Sequence, residues 1–375
     1  MTLSEPPLLP DQRRERLLAD LHAHGTLRVS EIARSLGVTT VTVRRDLAQL
    51  ADEGAIERVH GGIRLPRNGE GQPQFSVAVE DPGRSTTVDE ASLPAVGMVV
   101  PSLDYYWPEI VRGARDAAPD AGVRIVLRGS SYDDVADTRR QTAWLLETAG
   151  IQGLLIAPPT LGDEAAQLID WLAGLDIPVV FVERTATVGL YQEHVESVFT
   201  DHAFGASLAV RHLAARGHRR VGFLASASSP HTPAVRRGWQ QTVAAIGLEL
   251  DAPELISPDH RDPRWDDEID RGIDAWTASG TTALLAHSDR EAISLVARCE
   301  ERGIRVPDDL AVVAFDDEVA GLANPALSAV RPAKYNIGES AMQLLSQRLQ
   351  DPARPVHRVS VSPQLIVRDS SGARP

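Results

Sequence analysis

The chain has 375 residues, 43% of them hydrophobic and 24% charged, the make-up of a globular protein with material for two or three domains. No apolar run approaches the ~18 residues of a membrane span. The first residues carry neither a basic region nor an apolar core, and the single Cys299 excludes an intrachain disulfide, so the expectation is a cytoplasmic protein. The formal charge of −14 speaks against nucleic acid only until the chain is divided. Residues 1–67 hold 10 arginines against 9 carboxylates, so the acidity belongs to the remainder, and charge on the reading face is what governs DNA binding. A near-neutral module binds DNA weakly as one copy, which favours a homodimer.

In chain order, 11–24 reads as a helix with Pro10 at its start, Leu17, Leu18 and Leu21 inward, and Gly25 at its end. A short helix follows at 30–36, capped by Ser30. Gly37-Val38-Thr39 then forms the tight turn into a third helix, the spacing of a helix-turn-helix. On that third helix Val43, Leu47 and Leu50 make the buried stripe, while Thr40, Thr42, Arg44 and Arg45 lie on the outward face or its flanks. Arginine can read guanine bidentately, and hydroxyls suit base edges and phosphates. Beyond Gly54, apolar–polar alternation at 56–59 and 63–65 around His60-Gly61-Gly62 reads as a two-stranded ribbon, or wing. Arg58, His60 and Arg64 are its candidates for the phosphate backbone.

Val38-Thr39-x-x-Thr42-Val43-Arg44-Arg45-Asp46-Leu47, with Arg58-Val59-His60-Gly61-Gly62, resembles the N-terminal domain of the deoxyribose-operon repressor (DeoR) family over roughly residues 11–65. The resemblance implies a winged helix-turn-helix that reads operator DNA.

Residues 66–94, rich in Pro, Gly, Ser and acids, read as a linker with one short extended piece at 75–79. From residue 95 onward, apolar runs alternate with amphipathic segments. Strands are expected at 96–100, 124–127, 153–157, 178–182, 197–200, 221–225, 283–286 and 310–315. Such alternation means an α/β domain with a parallel sheet covered on both faces, whose ligands lie beyond the carboxyl ends of the strands. That rule selects Tyr105, Tyr106, Trp107, Ser130, Glu183, Arg184, Asp201, Asp289 and Asp316 as candidates for a small-molecule site. Aromatic rings suit the apolar face of a sugar, while carboxylates and arginines fix its hydroxyls. No glycine-rich nucleotide cradle and no nucleophile elbow appears. The eleven histidines lack a tight ligand spacing, His194 and Asp201-His202 being the nearest approach. No catalysis, cofactor or metal is therefore expected.

Val96-Gly97-Met98-Val99-Val100-Pro101, Pro178 to Arg184, His212-Leu213 with Gly217-His218-Arg219-Arg220, and Phe315-Asp316-Asp317 resemble the effector domain of the lactose-repressor (LacI) family, from about residue 95 to 370. This implies two doubly wound subdomains of periplasmic-binding-protein type, about 95–201 with 331–351 and 202–330 with 352–375. The chain would cross between them near Asp201, near Arg331 and within 351–355. The sequence departs from that family at Ser288-Asp289, where Asn-Asp is usual, at Val235, where an effector arginine is usual, and at Pro332, where glutamine is common. Arg237, close to the displaced arginine position, joins the candidates. Nothing in 66–94 corresponds to a hinge helix. The expected function is a ligand-responsive repressor, with operator double-stranded DNA and a carbohydrate-like effector as partners. The alternative is a solute-binding protein that serves a transporter.

Overall fold

A computed structural model describes residues 92–258 and 262–372, together with the backbone of three short strands near the start. The chain divides into two units, Met1–Thr86 and Thr87–Pro375. In the first, β1 (Thr26–Arg28), β2 (Glu57–Val59) and β3 (Gly62–Arg64) form an antiparallel sheet in the order β1-β3-β2. Arg58 stands opposite Ile63, and Arg64 is paired with Glu57 on one side and Thr26 on the other. The expected ribbon thus has a third strand, which three residues between two helical patterns did not reveal. The expected helices at 11–24 and 30–36 and the recognition helix lie outside the described residues. So do Thr40, Thr42, Arg44, Arg45 and His60, and the linker as far as residue 91.

The second unit contains two sheets. The chain builds most of the first through β4 (Ala95–Val100), α1 (Trp107–Ala117), β5 (Arg124–Gly129), α2 (Val135–Thr148), β6 (Leu154–Ile156), α3 (Asp163–Ala173) and β7 (Val179–Val182). A small hairpin, β8 (Thr187–Val188) and β9 (Glu193–His194), precedes β10 (Ser197–Thr200). The second sheet grows through α4 (His202–Ala215), β11 (Val221–Ser226), α5 (Thr232–Ala245), β12 (Glu254–Ser257) and α6 (Trp265–Ser279). It continues through β13 (Ala283–His287), α7 (Asp289–Glu301), β14 (Ala311–Phe315) and β15 (Ser328–Arg331). The chain then returns to the first subdomain as α8 (Lys334–Gln350) and β16 (Arg358–Val361), and ends in the second as β17 (Gln364–Ile366).

The strand orders are β16-β10-β7-β6-β4-β5 and β12-β11-β13-β14-β15-β17, parallel throughout except for β17 against β15. Every residue of β4, β11, β13 and β14 is buried, because helices cover both faces of each sheet. In the first subdomain α1 and α8 approach so closely that a Cβ on Gly113 would lie 1.9 Å from the Tyr335 carbonyl oxygen, and one on Gly338 would lie 1.9 Å from that of Ile110. Only hydrogen fits at those two positions.

The crossings follow the alternation. The first runs from β10 into α4 at Asp201 and the second from β15 into α8 between Arg331 and Lys334. The third lies between Val361 and Gln364, later than the expected 351–355. The prolines at 352 and 355 suggest a break, but Arg354 donates to the Leu344 carbonyl (2.8 Å) and pairs with Glu196 (2.6 Å). This holds the loop on the first subdomain, which gains β16 before the chain leaves it.

Candidate functional site

The carboxyl ends of the central strands of both sheets meet at one cleft. From the first subdomain come Tyr105 and Tyr106, which precede α1, and Glu183 and Arg184, which follow β7. From the second come His202, the first residue of α4, and His231, which precedes α5. His287 at the end of β13 and Asp316 after β14 complete that side.

Glu183 is 2% exposed and organises the first side. Its Oε1 accepts from the Tyr106 hydroxyl (2.7 Å) and from Thr200 Oγ1 (2.7 Å), and its Oε2 accepts from the Thr200 N–H (3.0 Å). Burial pushes its carboxyl up, but the nearby His202 ring and the Thr200 donors outweigh burial, and the net shift is downward. Its neighbour Arg184, also buried, donates from Nη1 to the Glu183 carbonyl (2.8 Å). The same nitrogen lies 3.2 Å from His231 Nε2 across the cleft.

The second side is a stack of imidazoles. His202 and His231 lie ring on ring at 4.1 Å, and His287 meets His231 edge-on at 6.5 Å. Burial holds His231 well below its ordinary value, with His202 and Arg184 adding to the effect, and lowers His287 to about 3. Asp316 is displaced in the other direction. Burial and the Asp289 charge raise it well above the carboxylate range, and Lys334 only partly opposes them.

Further links join the two sides. The Arg290 guanidinium sits 4.2 Å above the Tyr105 ring, and Lys334, at the start of α8, donates to the Asp316 carbonyl (2.6 Å) and pairs with Glu318. Several polar atoms in this region have no protein hydrogen-bond partner: the Tyr105 hydroxyl, Arg184 Nε, both ring nitrogens of His202 and Nδ1 of His287. Tyr105, Glu183, Asp316 and Asp317 all have left-handed backbones, with φ of 58°, 55°, 100° and 52°.

The remaining sequence candidates fall elsewhere. Trp107, the first residue of α1, is 1% exposed and packs into the core, its Nε1–H donating to the Tyr132 hydroxyl (2.8 Å), so it backs the cleft from the core. Ser130 closes its own strand end, donating from N to the Val100 carbonyl (2.8 Å). Asp201 caps α4 by accepting from the Phe204 N–H (2.9 Å). The buried Asp289 accepts from the N–H groups of Asp317, Glu318, Val319 and Ala320, which ties the loop after β14 in place. Arg237 is exposed on α5 and belongs to none of the cleft contacts. Val235 is fully buried in the core. Trp239 is core as well, stacked on Phe223 at 5.3 Å. Sequence reasoning missed His202 as a cleft residue, and also His231, Tyr132 and Lys334. No spacing rule connects them; the meeting of two sheets does. An open concavity of 740 Å³ lies away from the cleft, between α3, β7, β9 and α8, and contains none of these groups.

Comparison with known proteins agrees with this architecture. Residues 13–68 match the DeoR-like helix-turn-helix domain and residues 210–371 match the periplasmic binding protein-like domain. The chain is a transcription regulator that joins these two domains. The HTH-type transcriptional repressor PurR of Photobacterium profundum is 23% identical over 356 residues, covering 91% of this chain and 98% of that protein. The arabinose metabolism transcriptional repressor of Geobacillus stearothermophilus is 25% identical over 354 residues, covering 91% and 90%. Among solved structures, the Lac repressor bound to ONPG in its repressed state superposes with a TM-score of 0.62 at 21% identity, covering 88% of this chain and 90% of that one. A LacI family regulator from Enterococcus faecium with bound ribose gives 0.58 at 19% identity, covering 74% and 98%. A DNA-binding domain joined to the two-sheet unit sets aside the transport alternative. Among the described residues no helix is long and apolar enough to cross a membrane.

Proposed function

We propose that this regulator is a repressor whose operator affinity is set by a small polar effector, of sugar-like chemistry, held between the two subdomains. The reading rests on one observation: buried polar atoms without a protein partner converge where the two sheets meet. Such atoms are costly unless a ligand pairs them, and a hydroxyl-rich molecule offers the donors and acceptors they require. Tyr105, Tyr106, Glu183, Arg184 and Asp316 are the groups we assign to it, joined by His202, His231 and His287. An effector that touches both sides favours the form in which they are close, and it shifts the equilibrium only by its differential affinity for the two forms. Coupling to DNA of about 1–3 kcal/mol is typical of such linkage.

At the DNA, Thr40, Thr42, Arg44 and Arg45 are proposed to enter the major groove, and Arg58, His60 and Arg64 to lie along the backbone. A homodimer would present two such modules to a palindromic operator. The deciding experiment is a thermal-shift screen of the full chain against monosaccharides and nucleobases, followed by operator mobility shifts with each hit. A sugar that raises the melting temperature and changes operator affinity is the expected result. A hit panel confined to nucleobases would overturn the sugar assignment.

A further inference from the structure

Three side chains that offer different ligand atoms meet in the cleft. Glu183 belongs to the first subdomain, His202 and His231 to the second. One carboxylate oxygen and one nitrogen from each ring lie within 4.8 Å of one another. We propose that Glu183, His202 and His231 bind a divalent transition-metal ion of the zinc, cobalt or nickel class, which clamps the two subdomains together.

Two imidazoles and one carboxylate form the mixed nitrogen–oxygen donor set that suits such ions, whereas magnesium and calcium favour oxygen alone. His202 is 5% exposed, and no protein group hydrogen-bonds either of its ring nitrogens. A ring so placed needs a partner, and a cation supplies one. Both Thr200 and Tyr106 hold the Glu183 carboxylate, as outer partners orient a metal ligand. Of its two oxygens, Oε2 accepts only the Thr200 N–H and lies 3.6 Å from His202 Nε2, so this oxygen keeps a lone pair on the histidine side.

Two features set limits on the site. Metal–ligand bonds of about 2.0–2.2 Å require the three donors to draw together, which the stacked rings can do only by turning. The guanidinium of Arg184 lies 3.2 Å from His231 Nε2 and would yield that contact while keeping the Glu183 carbonyl. Three protein ligands also leave a coordination position open toward the cleft, where a hydroxyl or carboxylate of an effector would complete the shell. The proposal deepens the effector reading and rests on it only for the consequence at DNA. Metal binding itself is independent of that reading.

The test uses the full chain, stripped with EDTA, desalted and titrated with Co²⁺ and Zn²⁺. One equivalent per chain is expected, with visible Co²⁺ absorption bands and a raised melting temperature with Zn²⁺. Changing an outer partner of a metal site costs 10–100-fold, so losing a ligand in His202→Gln or Glu183→Gln should weaken binding by at least ~100-fold. His194→Ala, on the β9 surface, should leave it unchanged. Melting curves of each variant separate lost ligation from lost folding, and His202→Asn serves if the first change at that position fails to fold. Absence of stoichiometric binding, or binding that survives both ligand changes, overturns the site. Metal binding that follows this pattern without altering operator affinity supports the site and shows that the metal alone does not set DNA binding; the effector reading stands or falls on the thermal-shift screen.

Discussion

Tyr105→Phe separates a functional hydroxyl from a structural one, because the two roles predict opposite signs. The Tyr105 hydroxyl is buried without a protein hydrogen-bond partner, and burial together with the charges of Asp316 and Asp289 drives its pKa far upward. It is therefore a protonated donor with nothing to donate to. A buried unsatisfied group costs about 1–3 kcal/mol, and the phenylalanine variant removes that cost. The ring remains under the Arg290 guanidinium at 4.2 Å, so the cation–π contact is retained, and the left-handed backbone is unaffected. With the low end of the range, about 1 kcal/mol, the effector-free protein should melt ~2–4 °C higher. If an effector supplies the missing acceptor, the variant forfeits that bond, and affinity should fall about five- to thirteenfold for 1–1.5 kcal/mol. Calorimetric melting without effector and isothermal titration with the best thermal-shift hit read the two numbers. A variant that is less stable and binds effector equally well would show the hydroxyl to be structural and refute the reasoning.

Arg184→Met removes the guanidinium that reaches His231 across the cleft at 3.2 Å. A hydrogen bond from a charged group is worth about 1.5–3 kcal/mol, so the subdomains should open more often and the radius of gyration in small-angle scattering should rise; unchanged scattering would count against a cleft held by Arg184. Gly338→Ala places a Cβ 1.9 Å from the Ile110 carbonyl oxygen, so α1 and α8 must part. Overpacking of this kind costs about 1–3 kcal/mol, and an unaltered melting temperature would contradict the close approach. Asp289→Asn addresses pH. Burial raises Asp289 to about 6, against the pull of the Val319, Glu318 and Asp317 N–H groups. A folded value above the unfolded ~3.9 gives stability that is present below pH ~3.9 and lost as pH rises through 6. Wild type should therefore lose about 2 kcal/mol relative to the variant between pH 4 and pH 7, read from urea midpoints. A wild-type advantage that grows with pH would mean that the N–H groups prevail over burial.

The sequence made some elements plain and hid others for physical reasons. The strands β4, β11, β13 and β14 are apolar along their whole length because both faces are covered, and continuous runs are easily read. By contrast β12, β16 and β17 are half exposed, and β15 is the short run Ser328-Ala329-Val330-Arg331 with valine as its one sizeable apolar side chain, so none stands out from a loop. The strand-exit rule pointed to Tyr105, Tyr106, Glu183, Arg184 and Asp316, which do lie at the cleft, because a parallel sheet brings its strand exits to one end. It could not distinguish Asp201 and Asp289, since a carboxylate after a strand can face a ligand or bind backbone N–H groups equally well. Arg237 came from analogy with a family position, and the turn of α5 carries it to solvent. His231 escaped notice, and His202 drew attention only for a ligand spacing it lacks, because their proximity is created only when two separately built sheets face each other.

The backbone of the cleft adds an argument independent of any resemblance. Tyr105, Glu183, Asp316 and Asp317 sit in the left-handed region, where a residue with a side chain costs about 1–3 kcal/mol and glycine is comfortable. Elsewhere the chain uses glycine for most such turns, as at Gly122, Gly150, Gly247 and Gly303, where an added Cβ would meet nothing within 4 Å; Gln192, in the turn between β8 and β9, is an exception whose side chain bonds Thr187 and the Gly189 carbonyl. At those places space permits a side chain and the sequence declines one. In the cleft the sequence accepts the strain and keeps a tyrosine, a glutamate and two aspartates. Asp317 is explained by its pairing with Arg331 (2.6 Å) and Arg368 (2.7 Å). Glu183 holds Tyr106 and Thr200. No such protein partner accounts for the Tyr105 hydroxyl, and the buried Asp316 carboxyl reaches His287 only at 4.0 Å. Strain retained for a side chain that the protein alone does not satisfy is what a ligand site requires, and the Tyr105 hydroxyl is where an effector should make its first contact.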